Sequence, residues 1–207
     1  PLTHYLLNNP NYRKLYTAHL RTVINELDTN QIRADILNMQ SMAYPAVDND
    51  PHKLFSISDY INNVEEDLSF SNWGGYGFGG IMSTLRNRIP YLQSNSEIAH
   101  APPNIYGVSV SGNTITANIN NETSVELMAT TSYFNSKFKP FSMYDDGTNG
   151  DLQANDGVFT CYIPYPSALK VKFYIKATNS HSMMLSPERA EYEFYEYSTI
   201  SRSINYP

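Results

Sequence analysis

The spacing of apolar residues changes period once along this 207-residue chain, near residue 100, and that change limits the folds open to it. From Asn9 to Leu27, the residues Tyr12, Leu15, Tyr16, His19, Leu20, Val23, Ile24 and Leu27 recur at three-and-four spacing. This pattern lines one face of an α-helix. Asn9 as N-cap and Pro10 at the first helical position mark its start. A second helix is expected after Asp28-Thr29, with Ile32, Ile36, Met39 and Ala43 inward and a stop near Pro51. A third is expected after Ser58, carrying Tyr60, Ile61, Val64 and Leu68. Past the glycine-rich stretch Asn72 to Gly80, a fourth helix takes in Ile81, Leu85, Ile89 and Leu92, with Pro90 expected to kink or shorten it.

Beyond Pro103 the period falls to two. Seven β-rich runs follow, from IYGVSV at Ile105 through SVELMATT at Ser124 to AEYEFYEY at Ala190, separated by turn signals. In the clearest run, Val171, Phe173, Ile175 and Ala177 alternate with Lys170, Lys172, Tyr174 and Lys176. One face is expected to be core and the other solvent. Seven strands without a helix suggest a small β-sandwich. The expected fold class is α+β in two domains: a helical segment over 1–97, a proline-bearing linker over 98–104, and an all-β domain of immunoglobulin-like or fibronectin-III-like type over 105–200.

Charge narrows the partners. Lys+Arg of 14 against Asp+Glu of 20 gives a net charge of -6, and neither half is basic. That disfavours nucleic acid and anionic membrane surfaces. No apolar run approaches the roughly 20 residues needed to span a bilayer. Absence of an initiator Met or a signal peptide gives the expectation of a processed or truncated chain. The single cysteine, Cys161, excludes an internal disulfide framework.

The most conspicuous site candidate is MYDDGTNGDLQANDGVFT, Met143 to Thr160. Asp145, Asp146, Asp151 and Asp156 are the candidate ligands for calcium, because Ca²⁺ takes carboxylate and carbonyl oxygens. The EF-hand spacing fails, since Gly147 falls at the third position from Asp145, and Asp156 falls where the glycine belongs from Asp151. The competing reading is a structural loop, in which Asp146-Gly147 and Asp156-Gly157 make tight turns and the carboxylates accept nearby amides. That reading is preferred.

Other candidates are thinner. GYGFGG, Gly75 to Gly80, fits a phosphate-cradling glycine pattern, but the strand that should precede it is not expected there. Arg86 and Arg88 lie two apart and do not share a helical face. His4, His19, His52, His100 and His181 show no zinc spacing. Cys161 alternates with Phe159 and Ile163 and is expected to be buried and inert. Tyr162, Tyr174 and Tyr195 are expected on the surface, where they read either as a stacking platform for sugar or protein or as ordinary strand residues.

Two stretches carry a family resemblance. PLTHYLLNNPNYRKLYTAHLRTVINEL, with Pro10, Tyr12 and Arg13, resembles the late helical part of the CotH kinase family (spore coat protein H type), and STLRNRIPYLQS stands where that family has its closing helix. Pro90 departs from the uninterrupted last helix of the family. The aspartate-rich loop followed by VKFYIKATNSHSMMLSPERAEYEF is similar to the β-sandwich domain often appended to secreted bacterial CotH proteins.

The resemblance implies a C-terminal, cell-surface or secreted fragment of a kinase-like protein, whose partner is the N-terminal lobe of the same protein. The family's nucleotide lysine, metal-binding aspartates and catalytic aspartate have no counterparts here. No catalytic or cofactor-binding residue is therefore assigned, and ATP and magnesium belong only to that other lobe. The alternative is an extracellular glycan- or protein-binding module.

Overall fold

A computed structural model describes residues 2–69, 77–134, 137–198 and 203–206. Contacts divide the chain into two compact units, Pro1–Thr22 with Ser96–Pro207, and Val23–Asn95. The fold is mixed α and β.

The helices start where the sequence supplies caps. After α1 (Leu2–Asn8), α2 (Pro10–Glu26) opens with the Asn9 carboxamide oxygen accepting the N–H groups of Asn11 and Tyr12 at 2.9 and 3.4 Å. α3 (Thr29–Asn49) opens on Asp28, which accepts from Asn30 and Gln31. α4 is shorter than expected, spanning Ile57–Asn62 behind a Ser56/Asp59 capping box. It stops because the next carbonyls have another use. Asn63 O and Val64 O accept the N–H groups of Ile81 and Met82, at the opening of α5 (Ile81–Ser94). Leu68 is consequently not helical; β1 (Leu68–Ser69) pairs antiparallel with β2 (Gly77–Phe78). α5 continues past Pro90, so that proline does not end it, and α6 (Ser96–Ala99) follows.

Among the described residues, nine strands come after: β3 (Asn104–Ser111), β4 (Thr114–Asn120), β5 (Ser124–Thr130), β6 (Lys139–Ser142), β7 (Val158–Tyr162), β8 (Lys170–Thr178), β9 (Met183–Ser186), β10 (Tyr195–Ser198) and β11 (Ser203–Asn205). They form two antiparallel sheets. One has the order β3-β4-β7, and the other has the order β11-β10-β8-β5-β6 with β9 also paired to β8. Ile115, Ala117 and Cys161 from the first share one core with Val125, Leu127, Val171, Phe173 and Ile175 from the second. β9 and β11 are additional to the seven expected runs. The last run was expected from Ala190, but residues before Tyr195 make turns instead, with Ala190 N–H on Pro187 O and Tyr192 N–H on Arg189 O.

β8 departs from simple alternation. Tyr174, expected toward solvent, is buried with Met128, Met183, Leu185, Ala190 and Ala18 of α2. The outer face of the larger sheet is therefore a second apolar layer. α2 meets it through Ala18 and Leu15, with Arg21 buried and bonded to Met183 O, while Tyr12 and Tyr16 from the expected inward stripe are 54% and 53% exposed. The small Ala18 permits the close approach, and two long cations fix it: Lys14 Nζ donates to Asn179 O at 2.7 Å, and Arg21 donates to Met183 O at 3.5 Å.

The expected linker is also tied down within this unit. Ala101 O accepts from the side-chain amides of Asn121 and Asn179, and Pro103 is fully buried. Compactness groups residues 1–22 with the sheets, whereas the sequence grouped them with the other helices. Among the described residues, no helix is long and apolar enough to cross a membrane.

Candidate functional site

The aspartate loop spans from β6 in one sheet to β7 in the other, so it must turn the chain across the end of the shared core. Met143 begins it buried, with its N–H on Val125 O, and Tyr144 bridges Thr160. Asp145 then closes the loop on itself. Its two oxygens accept the N–H groups of Asp156 and Gly157 at 3.1 and 3.0 Å, joining the first residues of the loop to the last.

Asp151 is buried and accepts Gly147 N–H at 2.7 Å, and Asp156 accepts Val158 N–H at 2.9 Å. Gly147 and Gly157 have φ of 74° and 81°, the left-handed backbone that the two Asp-Gly pairs foretold.

Three of the four predicted ligands converge. One carboxylate oxygen from each of Asp145, Asp151 and Asp156 lies within 4.8 Å of the others. Asp146 is not in this group; it accepts from the Thr148 N–H and hydroxyl, as in an Asx-turn. What the geometry shows directly is a loop whose carboxylates hold its own amides. Oxygen atoms with spare lone pairs at this spacing are also of the type that Ca²⁺ takes.

The glycine segment resolves differently. Gly75 and Tyr76 lie outside the described residues, but Gly77 to Gly80 are described and a short strand, β1, does precede them. An anion already occupies the start of α5. Asp67 accepts Gly80 N–H at 2.8 Å and also the Ser83 hydroxyl. These hydrogen bonds hold its carboxyl below the usual carboxylate range, the Ser83 bond contributing most. A Cβ on Gly80 would come within 2.6 Å of Glu66 O. The glycine is explained by that close approach. Arg86 bonds Glu65, which also pairs with Arg33, so it serves an ion-pair cluster of its own unit.

Two of the open clefts among the described residues are walled mainly by apolar side chains. In the Val23–Asn95 unit, one of about 510 Å³ is walled by Val47, Phe55, Tyr60, Leu68 and Phe78, with Asp50, His52, Lys53 and Asp59 among its polar groups. Those groups hold their own segment: Lys53 donates to Asp48 O, Asp50 accepts His52 N–H, and Asp59 closes the α4 cap. The other, about 650 Å³, lies along α1 and α2 and is lined by Leu6, Leu7, Tyr12, Leu15, Tyr16 and His19. Burial lowers the pKa of His19, with the Glu191 charge opposing. Glu191 in turn accepts the Tyr174 hydroxyl at 2.9 Å, and burial chiefly pushes that phenol far up.

Cys161 is buried in the main core, and burial pushes its thiol up to about 11, which fits an inert residue. Of the three tyrosines expected on the surface, only Tyr162 is exposed, at 56%. Tyr195 is half-buried between Phe173 and Tyr206, so the three make no common platform. One cluster had no sequence signal: His100 and His181, far apart in sequence, stack with ring centroids 4.3 Å apart. No family model, curated protein or solved structure matches this chain.

Proposed function

We propose that this chain is the non-catalytic C-terminal part of a CotH-like, kinase-like protein of the cell surface or of secretion, with helices that complete the helical lobe and an immunoglobulin-like accessory domain built by the two sheets. The observation that carries this reading is the uncovered apolar groove of α1 and α2. Leu6, Tyr12 and Tyr16 stay 44%, 54% and 53% exposed while the opposite face of α2 packs on the sheet. A helix that packs one face on a sheet and leaves much of its apolar stripe free suits a segment completed by another lobe. The two motif-bearing stretches support the same placement, and the self-bonded aspartate loop suits a structural turn in the accessory domain.

The test is the behaviour of the groove. The isolated chain is expected to bind an environment-sensitive apolar dye or to self-associate, and Tyr12→Ser with Tyr16→Ser should reduce either signal. A monomer that binds no dye would count against the reading.

A second reading, an extracellular glycan- or protein-binding module, is favoured by Tyr133, Phe134 and Tyr192, exposed at 86%, 73% and 85%. Glycan-array binding lost on Tyr133→Ala or Tyr192→Ala would support it over the first.

A further inference from the structure

Strand register gathers three loops of the sheet unit at one end. β5 stops at Thr130, which pairs with Lys172 near the start of β8, so the β5–β6 loop lies beside the β7–β8 loop. The β3–β4 hairpin at Gly112-Asn113 joins them, because Thr114 pairs with Tyr162 and Ile163 N–H donates to Asn113 O. Large apolar side chains stand exposed there. Tyr133 and Phe134, on the β5–β6 loop, meet edge to face with ring centroids 5.5 Å apart, and Leu169, at the end of the β7–β8 loop, is 68% exposed. The loop that carries the two rings is pinned to the sheet. Lys172 Nζ donates to Tyr133 O at 3.0 Å and lies 5.8 Å from the Tyr133 ring centroid and 4.8 Å from that of Phe194.

Four of the chain's seven lysines collect at the same end: Lys137 and Lys139, both exposed, and Lys170 and Lys172 at the start of β8. Among the described residues, strand register sets one carboxylate against them, Glu196, which pairs with Lys170 at 2.7 Å. Asp145 and Asp156 accept the amides of Gly157 and Val158, at the far end of β7 from Tyr162. That end is roughly 13 Å away along the strand, beyond the roughly 8–10 Å over which exposed charges act in salt. The net charge of -6 therefore does not describe what this end presents.

Aromatic rings at loop tips suit the headgroup layer of a bilayer, which accepts an apolar body and a polar edge together. Lysines supply compact charges that suit a diffuse anionic surface rather than a fixed two-pronged contact. Three tip side chains fall short of the roughly 800 Å² a side that a stable protein interface buries. We propose that this end of the sheet unit docks on an anionic phospholipid surface, with Tyr133, Phe134 and Leu169 entering the headgroup layer and Lys137 and Lys139 facing lipid phosphates. The contact is additional to the function proposed above.

The test is co-sedimentation of the full chain with vesicles of phosphatidylcholine alone and of phosphatidylcholine and phosphatidylserine in equal parts, at low and at high salt. The wild type is expected to bind the mixed vesicles at low salt, and to bind them far less at high salt or without phosphatidylserine. Lys137→Glu with Lys139→Glu should weaken that binding about tenfold or more, and Tyr133→Ser with Phe134→Ser should weaken it about tenfold. All four side chains are exposed, so the variants should melt with the wild type; if either pair folds poorly, Leu169→Ser gives a second reading of the same contact. No binding to mixed vesicles, or binding indifferent to salt and to phosphatidylserine, would overturn the proposal. Binding unchanged in both pairs of variants would place the contact elsewhere, as on the α1–α2 groove, and would overturn it too. Capture on a glycan array that Tyr133→Ser with Phe134→Ser abolishes, without vesicle binding, would give the rings to a saccharide instead.

Discussion

Lys14 Nζ donates to the main-chain oxygen of Asn179 at 2.7 Å, so a cation on α2 holds the turn between β8 and β9. Arg21, two turns further along α2, is buried and donates to the carbonyls of Glu97, Ile98 and Met183. Burial lowers its pKa, and carbonyl oxygens rather than a carboxylate satisfy it. Arg21→Met should therefore leave three carbonyls short of a donor and cost about 1–3 kcal/mol. Chemical denaturation would show this as a lower midpoint. Lys14→Met should cost less, since its end is only partly buried.

In the aspartate loop, Asp145 is the residue expected to matter most. Asp145→Ala removes the acceptor of two amides that join the ends of the loop, a loss of about 1–3 kcal/mol. Asp146→Ala removes only an exposed turn bond and should stay within about 0.5 kcal/mol. Urea titration of the two variants ranks them. A loop held by its own amide bonds alone predicts coincident melts in Ca²⁺ and in EDTA; a higher midpoint in Ca²⁺ would place an ion among Asp145, Asp151 and Asp156.

Cys161 should resist alkylation in the folded chain. Its thiol is buried and raised to about 11, so at pH 8 the thiolate is both scarce and shielded. Labelling by iodoacetamide should be slow without denaturant and fast once the sheets unfold. Rapid labelling of the native chain would contradict the shared core.

The beginnings of the elements were legible because they are local. Asn9, Pro10 and Asp28 start helices by chemistry contained within a few residues, and β8 announced itself by alternation. Which face of α2 meets a sheet was not legible. Ala18 and Arg21 look like a solvent face until the outer side of β8 and β9 supplies Tyr174, Met183 and Leu185 to cover. Likewise, Leu68 fitted a helical period, but the carbonyls that would have extended α4 serve the first turn of α5. In the candidate site, Asp-Gly spacing foretold the turns, while the separation of Asp146 from the other three carboxylates and the meeting of His100 with His181 depend on distant strands and had no local trace.

His19 gives a pH dependence of definite sign. Its folded-state pKa is lowered by burial, so the unfolded chain takes up the proton more readily. Its contribution is fully present above the ordinary histidine value of about 6.5 and is lost as pH falls from there toward the lowered value. His19→Asn should flatten the melting midpoint across that window.

The most direct test of the central claim is Mg-ATP-dependent phosphate transfer, measured for a longer polypeptide that contains the proposed kinase-like lobe and for this chain beside it. The account predicts transfer by the longer protein and none by the 207 residues alone. Transfer by this chain alone would contradict its non-catalytic role, and no transfer by either would contradict the kinase-like assignment.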